Sequence, residues 1–362
     1  MTHPDVGKPI DELDTPALLI DQAALEHNIA TMARSCAEAG VDWRPHIKAS
    51  KAPDLARLLV AGGAVGVTCS KVSEAEVMAG AGLDDILVAN EIVGQTKIDR
   101  LVRLARGRRL CVAVDAEENL RHLATEAERA GVTIDVLVDI DVGMHRCGVT
   151  PEEAVPLATL ASELAGVRLR GLMGYEGHVM PLDPEAKASA SAAVADALTV
   201  AREAVEAAGL AVGTISGGGT GNYWYGLRLG VLSETQAGGG VLMDLTYEAM
   251  GVKGHRRALL VLCQIISAAA SGRAVCDAGW KTTGRHTGMP APADRDDLVI
   301  TNLNAEHAYL RLAPGAAVSL GERIRLVPSY SDSTMLLHRQ AYAVRDGMVE
   351  AVWPIAAAGM LQ

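Results

Sequence analysis

The chain has 362 residues, with 33 Lys and Arg against 44 Asp and Glu, a formal net charge of −11 and 49% hydrophobic residues. That length suits one large domain or two ordinary ones, and the acidic balance, with no Phe and only 3% aromatics, argues against a nucleic-acid or membrane-surface partner. Six cysteines, Cys36, Cys69, Cys111, Cys147, Cys263 and Cys276, lie far apart with no C-x-x-C pair, a pattern of reduced thiols rather than of a disulfide scaffold or a cysteine zinc site.

The N-terminal MTHPDVGKPIDELDTP carries no apolar core. No later stretch reaches about 18 uncharged apolar residues, so export and membrane spanning are disfavoured and a cytoplasmic location is expected. Thr15–Ile20 reads as a strand. A helix then starts after Asp21, with Ala24, Leu25, Ile29 and Met32 at helical spacing. From there β-branched runs alternate with amphipathic stretches, and eight strands are counted: Asp42–Arg44, Val65–Cys69, Ile86–Ala89, Leu110–Val114, Ile134–Asp139, Leu169–Gly174, Val212–Ser216 and Thr235–Gly238. Pro53 inside the first turn of Ala52–Val60, and Thr150-Pro151-Glu152-Glu153 before Ala154–Leu164, mark helix starts. Gly40, Gly62, Gly107, Gly131, Gly166 and Gly209 mark helix ends, and residues 186–208 form an Ala-rich helix.

Eight βα units in about 220 residues predict a (β/α)8 TIM-like barrel rather than an open sheet. Beyond residue 250 the texture becomes strand-like without long helices: Ala258–Ser267, Ala274–Asp277, Tyr309–Leu312, Arg323–Pro328 and Met335–Val344, with an Asp346-Gly347 hairpin turn into Val349–Trp353. The predicted architecture is a barrel over residues 21–245 followed by a C-terminal all-β domain, the β-rich part being residues 1–20 plus 246–362.

In such a barrel the loops after the strands carry the chemistry. After the first strand, Arg44-Pro45-His46-Ile47-Lys48-Ala49-Ser50-Lys51 offers an amine able to form a Schiff base with a carbonyl, although an arbitrary loop lysine is more often a solvated charge. After the fifth, Asp141 to Val149 carries Arg146, able to meet a ring nitrogen or clamp an anion, or to pair with a structural Asp. After the sixth, Gly174-Tyr175-Glu176-Gly177-His178 offers a phenol and an imidazole, His178 being a candidate acid or base. After the seventh, Ser216-Gly217-Gly218-Gly219-Thr220-Gly221 can present consecutive backbone N–H groups to an anion, or be a flexible turn. An amine and an anion cradle at one mouth match the two ends of pyridoxal 5′-phosphate (PLP).

These residues resemble the D-threonine aldolase and D-serine dehydratase family of PLP enzymes, relatives of alanine racemase. The resemblance runs through Asp14-Thr15-Pro16-Ala17, Arg44 to Lys48, Asp141 to Val149, Ser216 to Thr220, Glu234 to Gly238 with Met243-Asp244, and Asp277-Ala278-Gly279. It implies that Lys48 is the Schiff-base lysine, that Arg146 faces the pyridine nitrogen, that Ser216, Gly218, Gly219 and Thr220 form the phosphate site, and that Tyr175 lies beside the cofactor. It also implies a homodimer and a small amino-acid substrate. Two positions depart from the family. Ala49-Ser50 stands where a threonine and histidine are usual, and Tyr330 stands where the family has a metal-binding histidine two residues before Asp332. A divalent ion (Mg, Mn or Zn) at Asp332 is therefore disfavoured, and His307, His286 and His338 read as structural or surface residues rather than substitutes.

The expected activity is retro-aldol cleavage of a D-threonine-like β-hydroxy-α-amino acid to glycine and an aldehyde, with Lys48, His178 and Tyr175 at the reacting centre. Dehydration of a D-serine or 3-hydroxy-amino-acid substrate is the nearest alternative. A metal-independent racemase or epimerase is another, and a non-catalytic protein of PLP homeostasis stands against the long β domain.

Overall fold

The computed structural model describes residues 3–362. The chain divides into two compact units, one built from the residues up to Thr31, Ala49–Leu55 and Gly239–Gly359, the other from Met32–Lys48, Ala56–Gly238 and Met360–Gln362. No helix among the described residues is long and apolar enough to cross a membrane.

The second unit holds the eight parallel strands in the expected order: Asp42–Trp43, Val67–Cys69, Asp85–Glu91, Arg109–Val114, Ile134–Asp139, Val167–Gly174, Thr214–Gly217 and Glu234–Thr235. The last pairs with the first. The remaining seam, between the first and second, is joined at His46 and Thr68, where the Ile47 N–H donates to the Thr68 carbonyl at 2.8 Å and the Thr68 N–H to the Pro45 carbonyl at 2.9 Å. The strands therefore form a closed ring, as the βα rhythm predicted. They read as continuous apolar runs because both faces are covered: Leu110 to Val114 are buried throughout, and the helix Glu117–Arg129 lays Leu120, Leu123, Ala124 and Ala127 onto the sheet. Each such side chain contributes roughly 1.5–3 kcal/mol if fully buried. Leu87, Cys111, Ala113, Leu137 and Met173, from four neighbouring strands, make one apolar cluster.

A polar layer interrupts this interior. Arg44, 1% exposed, donates to Glu234 and to Asp85, each at 2.7 Å. Glu234 also accepts from Arg170 at 3.1 Å and from the Ser216 hydroxyl at 2.8 Å. A buried carboxylate with several charge-assisted donors keeps its charge at tolerable cost, and losing one of them leaves it exposed to the full desolvation penalty.

The first unit is a mixed sheet. Leu298–Leu303, Ala308–Leu312, Arg273–Cys276, Leu259–Ala270, Ala17–Asp21, Gln340–Arg345 and Met348–Pro354 follow one another, and Arg323–Val327 pairs with Leu259–Ala270 and with Ala291–Pro292. Ala17–Asp21 runs antiparallel to Leu259–Leu262 and parallel to Tyr342–Val344, so the N-terminal strand joins this sheet as its apolar pattern suggested. Asp21 ends the strand and caps the helix Gln22–Ala39, accepting the Ala24 N–H at 2.9 Å.

One expectation needs correction, and two strands went unread. Met335–Val344 is not one strand: Ser331–Met335 is helical and the strand starts at Gln340, because Asp244 accepts the Ser331 N–H at 2.7 Å and the Thr334 hydroxyl donates to the Tyr330 and Thr283 carbonyls at 3.0 and 2.6 Å. These bonds offer the backbone an alternative to the ladder. The strands Leu298–Leu303 and Ala291–Pro292 were not read from the sequence at all. Gly62 does end the helix Pro53–Ala61, although the positive φ falls one residue later, at Gly63 (+113°).

Candidate active site

Lys48 follows the first barrel strand, in a turn fixed by backbone bonds from His46 to Gln236 and from Ile47 to Thr68. Arg146 follows the fifth strand, in a loop whose return is set when Val149 donates to the Asp139 carbonyl at 2.9 Å and Asp141 to the Val149 carbonyl at 2.8 Å. Tyr175 follows the sixth. The three meet: the Lys48 Nζ lies 5.5 Å from the centre of the Tyr175 ring and the Arg146 guanidinium carbon 5.2 Å from it, within cation–π range of a ring face. Residues 48, 146 and 175 come from three separate strand ends, so their convergence is a property of the ring.

The glycine run follows the seventh strand. Gly218 has φ +83°, and a Cβ there would come within 2.6 Å of the Thr235 Oγ1; a Cβ on Gly219 would lie 2.8 Å from the Met180 sulfur and 3.4 Å from Tyr175. At both positions the room a Cβ would need is already taken by neighbouring side chains, so the loop fits only as glycine, and it runs beside the Tyr175 ring. Thr235, 1% exposed, has its hydroxyl oxygen buried without a hydrogen-bond partner. A buried, unpartnered hydroxyl beside two side-chain-free residues suits a phosphate oxygen. Thr220 is itself buried at 4% exposure. These features fit PLP: an amine, a cation, a flat ring and an anion cradle belong to one rigid unit.

His178 packs against the Arg146 loop, its Nε2 lying 3.4 Å from where a Cβ on Gly143 would be, and its Nδ1 is buried without a partner. Ser216 does not turn toward the loop. It lies within the strand Thr214–Gly217, fully buried, donating to Glu234 and accepting from the Gln236 amide at 3.0 Å.

Behind Arg146 stands a group the sequence did not reveal. Asp139 and Glu91, at the ends of the fifth and third strands, share a hydrogen bond, and burial first, then the Glu91 charge, pushes the Asp139 carboxyl well up, with Arg146 pulling the other way. A hydrogen bond between two carboxyls requires a proton between them. Asp115 and Cys147 lie close by, each with one ligand-type atom within 4.8 Å of Glu91's. Burial and then Glu91 push the Cys147 thiol up to about 11, so it stands there protonated.

Tyr330 and Asp332 belong to the other unit. The Tyr330 ring packs edge-on to Tyr247 at 5.9 Å and obliquely on His286 at 6.0 Å, and burial, then the Asp332 charge, raises the Tyr247 phenol well above its ordinary value. Asp332 is in no cluster of three His, Cys, Asp or Glu ligands among the described residues. A phenol packed between rings, with the Asp332 carboxylate and an Asp244 already bonded to the Ser331 and Tyr247 N–H groups, is a poor donor set for a hard divalent ion. The residues of this unit do not fit the family's metal.

Residues 20–242 match the family described as alanine racemase, N-terminal domain, and residues 258–344 the putative serine dehydratase domain. The chain is 40% identical over 359 residues to a D-threonine aldolase of Arthrobacter sp., spanning 98% of this chain and 95% of that one. It is 33% identical over 349 residues to the D-threo-3-hydroxyaspartate dehydratase of Delftia sp. (strain HT23), spanning 89% and 92%. The crystal structure of D-threonine aldolase from Filomicrobium marinum superposes with a TM-score of 0.96 at 37% identity over 99% of both chains. The ring of strands, the β unit after it and these likenesses agree, and the chain belongs to the D-threonine aldolase and D-serine dehydratase-like family of PLP enzymes, built on an alanine racemase-type barrel.

Proposed function

We propose that the protein is a PLP-dependent lyase that cleaves a D-configured β-hydroxy-α-amino acid, of the D-threonine kind, to glycine and an aldehyde. The observation that carries this reading is the meeting of Lys48 and Arg146 over one tyrosine ring beside a glycine cradle; the likeness to aldolases over nearly the whole chain supports it. When bound, the cofactor supplies an aldehyde that condenses with amines and a ring that accepts the electrons of a bond breaking at Cα. Lys48 presents the amine that would hold the cofactor, beside the Tyr175 ring. Arg146 keeps a fixed positive charge toward the ring nitrogen, and the Tyr175 ring holds the flat face. The backbone N–H groups of Gly219 and Thr220, with the Thr235 hydroxyl, would hold the phosphate, while Gly218, whose N–H is donated to Glu176, shapes the loop and Ser216 braces the strand beneath it. His178, after the same strand as Tyr175, would take the proton of the substrate's β-hydroxyl.

No step in this reading uses a metal, because Tyr330 stands where the family's histidine would coordinate one. The protein works as a homodimer on this reading, as the resemblance implies; a monomer in solution scattering would overturn that part.

The test is direct. Purified protein reduced with borohydride should carry the cofactor on Lys48 by mass spectrometry. Incubation with D-threonine should release glycine and acetaldehyde, in the presence of a chelator as well as without it. A keto acid and ammonia in their place would make it a dehydratase, an inverted amino acid a racemase, and no product from any β-hydroxy-α-amino acid would end the lyase reading.

A further inference from the structure

Glu176 is a buried carboxyl for which the reaction has no use. It follows Tyr175 after the sixth strand and is 4% exposed. One oxygen accepts the Gly218 N–H at 3.3 Å and the other accepts the Asn222 side-chain amide at 2.9 Å. Both partners belong to the glycine run and the residue just past it. On its remaining side Glu176 faces an apolar cavity lined by Val194, Leu198 and Leu232.

No cation pairs with Glu176 among the described residues. Lys187, the positive group nearest this loop in its bonding, donates to the Gly221 carbonyl at 2.9 Å and lies over the Trp224 ring at 5.5 Å. Lys48 and Arg146 face Tyr175, and His178 faces Gly143. A carboxylate buried without a counter-ion carries a large desolvation penalty and takes up a proton instead; burial accordingly moves this carboxyl upward, against the pull of its bonds from Asn222 and Gly218. A phosphate dianion bound to the same loop would add like-charge repulsion to that penalty.

A neutral carboxyl must also donate, and an acceptor is available. The Asn222 Oδ1 is buried with no hydrogen-bond partner. A half-turn of that amide, which changes its shape hardly at all, exchanges Oδ1 for the nitrogen now 2.9 Å from Glu176 and lets the protonated oxygen donate to it.

Resting on the PLP reading above, we propose that Glu176 is a positioning residue that works as an uncharged carboxyl, holding Gly218 and Asn222 in the conformation that receives the cofactor's phosphate. It touches neither substrate nor the reacting atoms. Its action is on the affinity and orientation of the cofactor.

The test compares Glu176→Gln with Glu176→Ala in the full-length, cofactor-stripped protein, titrated with PLP and followed by absorbance, with thermal melts to confirm folding. Glutamine keeps an acceptor and a donor and carries no charge, so it should bind within about threefold of the wild type. Alanine leaves the Gly218 and Asn222 amides unsatisfied and should weaken binding at least about tenfold. As the pH rises past the elevated carboxyl value, the wild type should lose affinity relative to the glutamine variant, a ratio in which the titration of Lys48 cancels. Glutamine weakening binding as much as alanine, or strengthening it more than about tenfold at neutral pH, would show that a charge is used there and overturn the proposal. An alanine variant that folds and binds normally would overturn it too. If alanine fails to fold, the glutamine comparison still decides. A wild type that takes up no cofactor overturns the PLP reading together with this one, whereas a wild type that binds while glutamine fails overturns this one alone.

Discussion

Replacing Gly218 by alanine tests the cradle most sharply, because the structure separates two costs. At φ +83° an L-residue is strained by roughly 1–2 kcal/mol whatever the surrounding space. The new Cβ would also sit 2.6 Å from the Thr235 Oγ1, and overpacking a buried site adds about 1–3 kcal/mol. Together these come to about 2–5 kcal/mol, between roughly 30-fold and several thousand-fold in an equilibrium constant. In the free protein the loop can relax into another conformation, so most of this cost should appear as weaker PLP binding rather than as a lower melting temperature. Thr235→Ala removes the clashing oxygen and leaves the nearest atoms at 3.6 Å, ordinary contact. A double-mutant cycle should therefore recover the clash and leave the strain, with a coupling of about 1–3 kcal/mol, roughly 5- to 150-fold. The assay is equilibrium titration of the four proteins with PLP, with melting temperatures alongside. A Gly218→Ala protein whose cofactor affinity and melting temperature both match the wild type would refute the reasoning, and additive effects would refute the contact with Thr235.

Tyr330→His should create what the β unit lacks: the variant should bind Mn2+ measurably by calorimetry, lose it when Asp332→Ala is added, and differ from a wild type that shows no comparable binding; equal binding by both would refute the argument from donor chemistry. Arg44→Met should destabilise the protein by about 3–5 kcal/mol, because it leaves Glu234 buried with Arg170 and Ser216 as remaining donors; urea unfolding should read this, and a loss below about 1 kcal/mol would contradict it. Burial lowers the His255 imidazole to about 4 from its ordinary 6.5. The folded form then resists a proton that the unfolded chain accepts, so stability from this group is complete above pH 6.5 and falls as the pH drops toward 4, by about 3 kcal/mol in all. His255→Asn should flatten that acid limb of urea-midpoint against pH; an unchanged slope would count against it.

The barrel was legible because its signals are local. Continuous apolar runs such as Leu110–Val114, and cap residues such as Asp21, need no knowledge of distant contacts. Lys48, Arg146 and Tyr175 were legible for a related reason: each lies within a few residues of a strand end, and the closed ring brings strand ends together. Glu176 was not, because within Gly-Tyr-Glu-Gly-His a glutamate reads as a solvated charge, and only the approach of Gly218 and Asn222, 42 and 46 residues away, removes its water. The Asp139 and Glu91 pair was hidden in the same way, its members being supplied by two different strands. The short helix Ser331–Met335 went unread, and Met335 was taken into the following strand, because a bond that turns the segment helical comes from Asp244, 87 residues before Ser331.

Ser216 shows a different kind of miss. The sequence reading made it the last residue of the strand Val212–Ser216 and counted it with the glycine loop as a cofactor-binding residue. The strand, however, runs from Thr214 to Gly217, and Ser216 stands opposite Glu234 in the register of the neighbouring strand. Residues directly paired on adjacent strands project to the same face, so the hydroxyl meets the Glu234 carboxylate at 2.8 Å in the Arg44 layer. Gly218 is the first position of the run beyond the strand. The cradle begins there: the side chain at 216 braces the strand from within, the Gly218 N–H is held by Glu176, and the main chain from 219 onward is left to hold the anion.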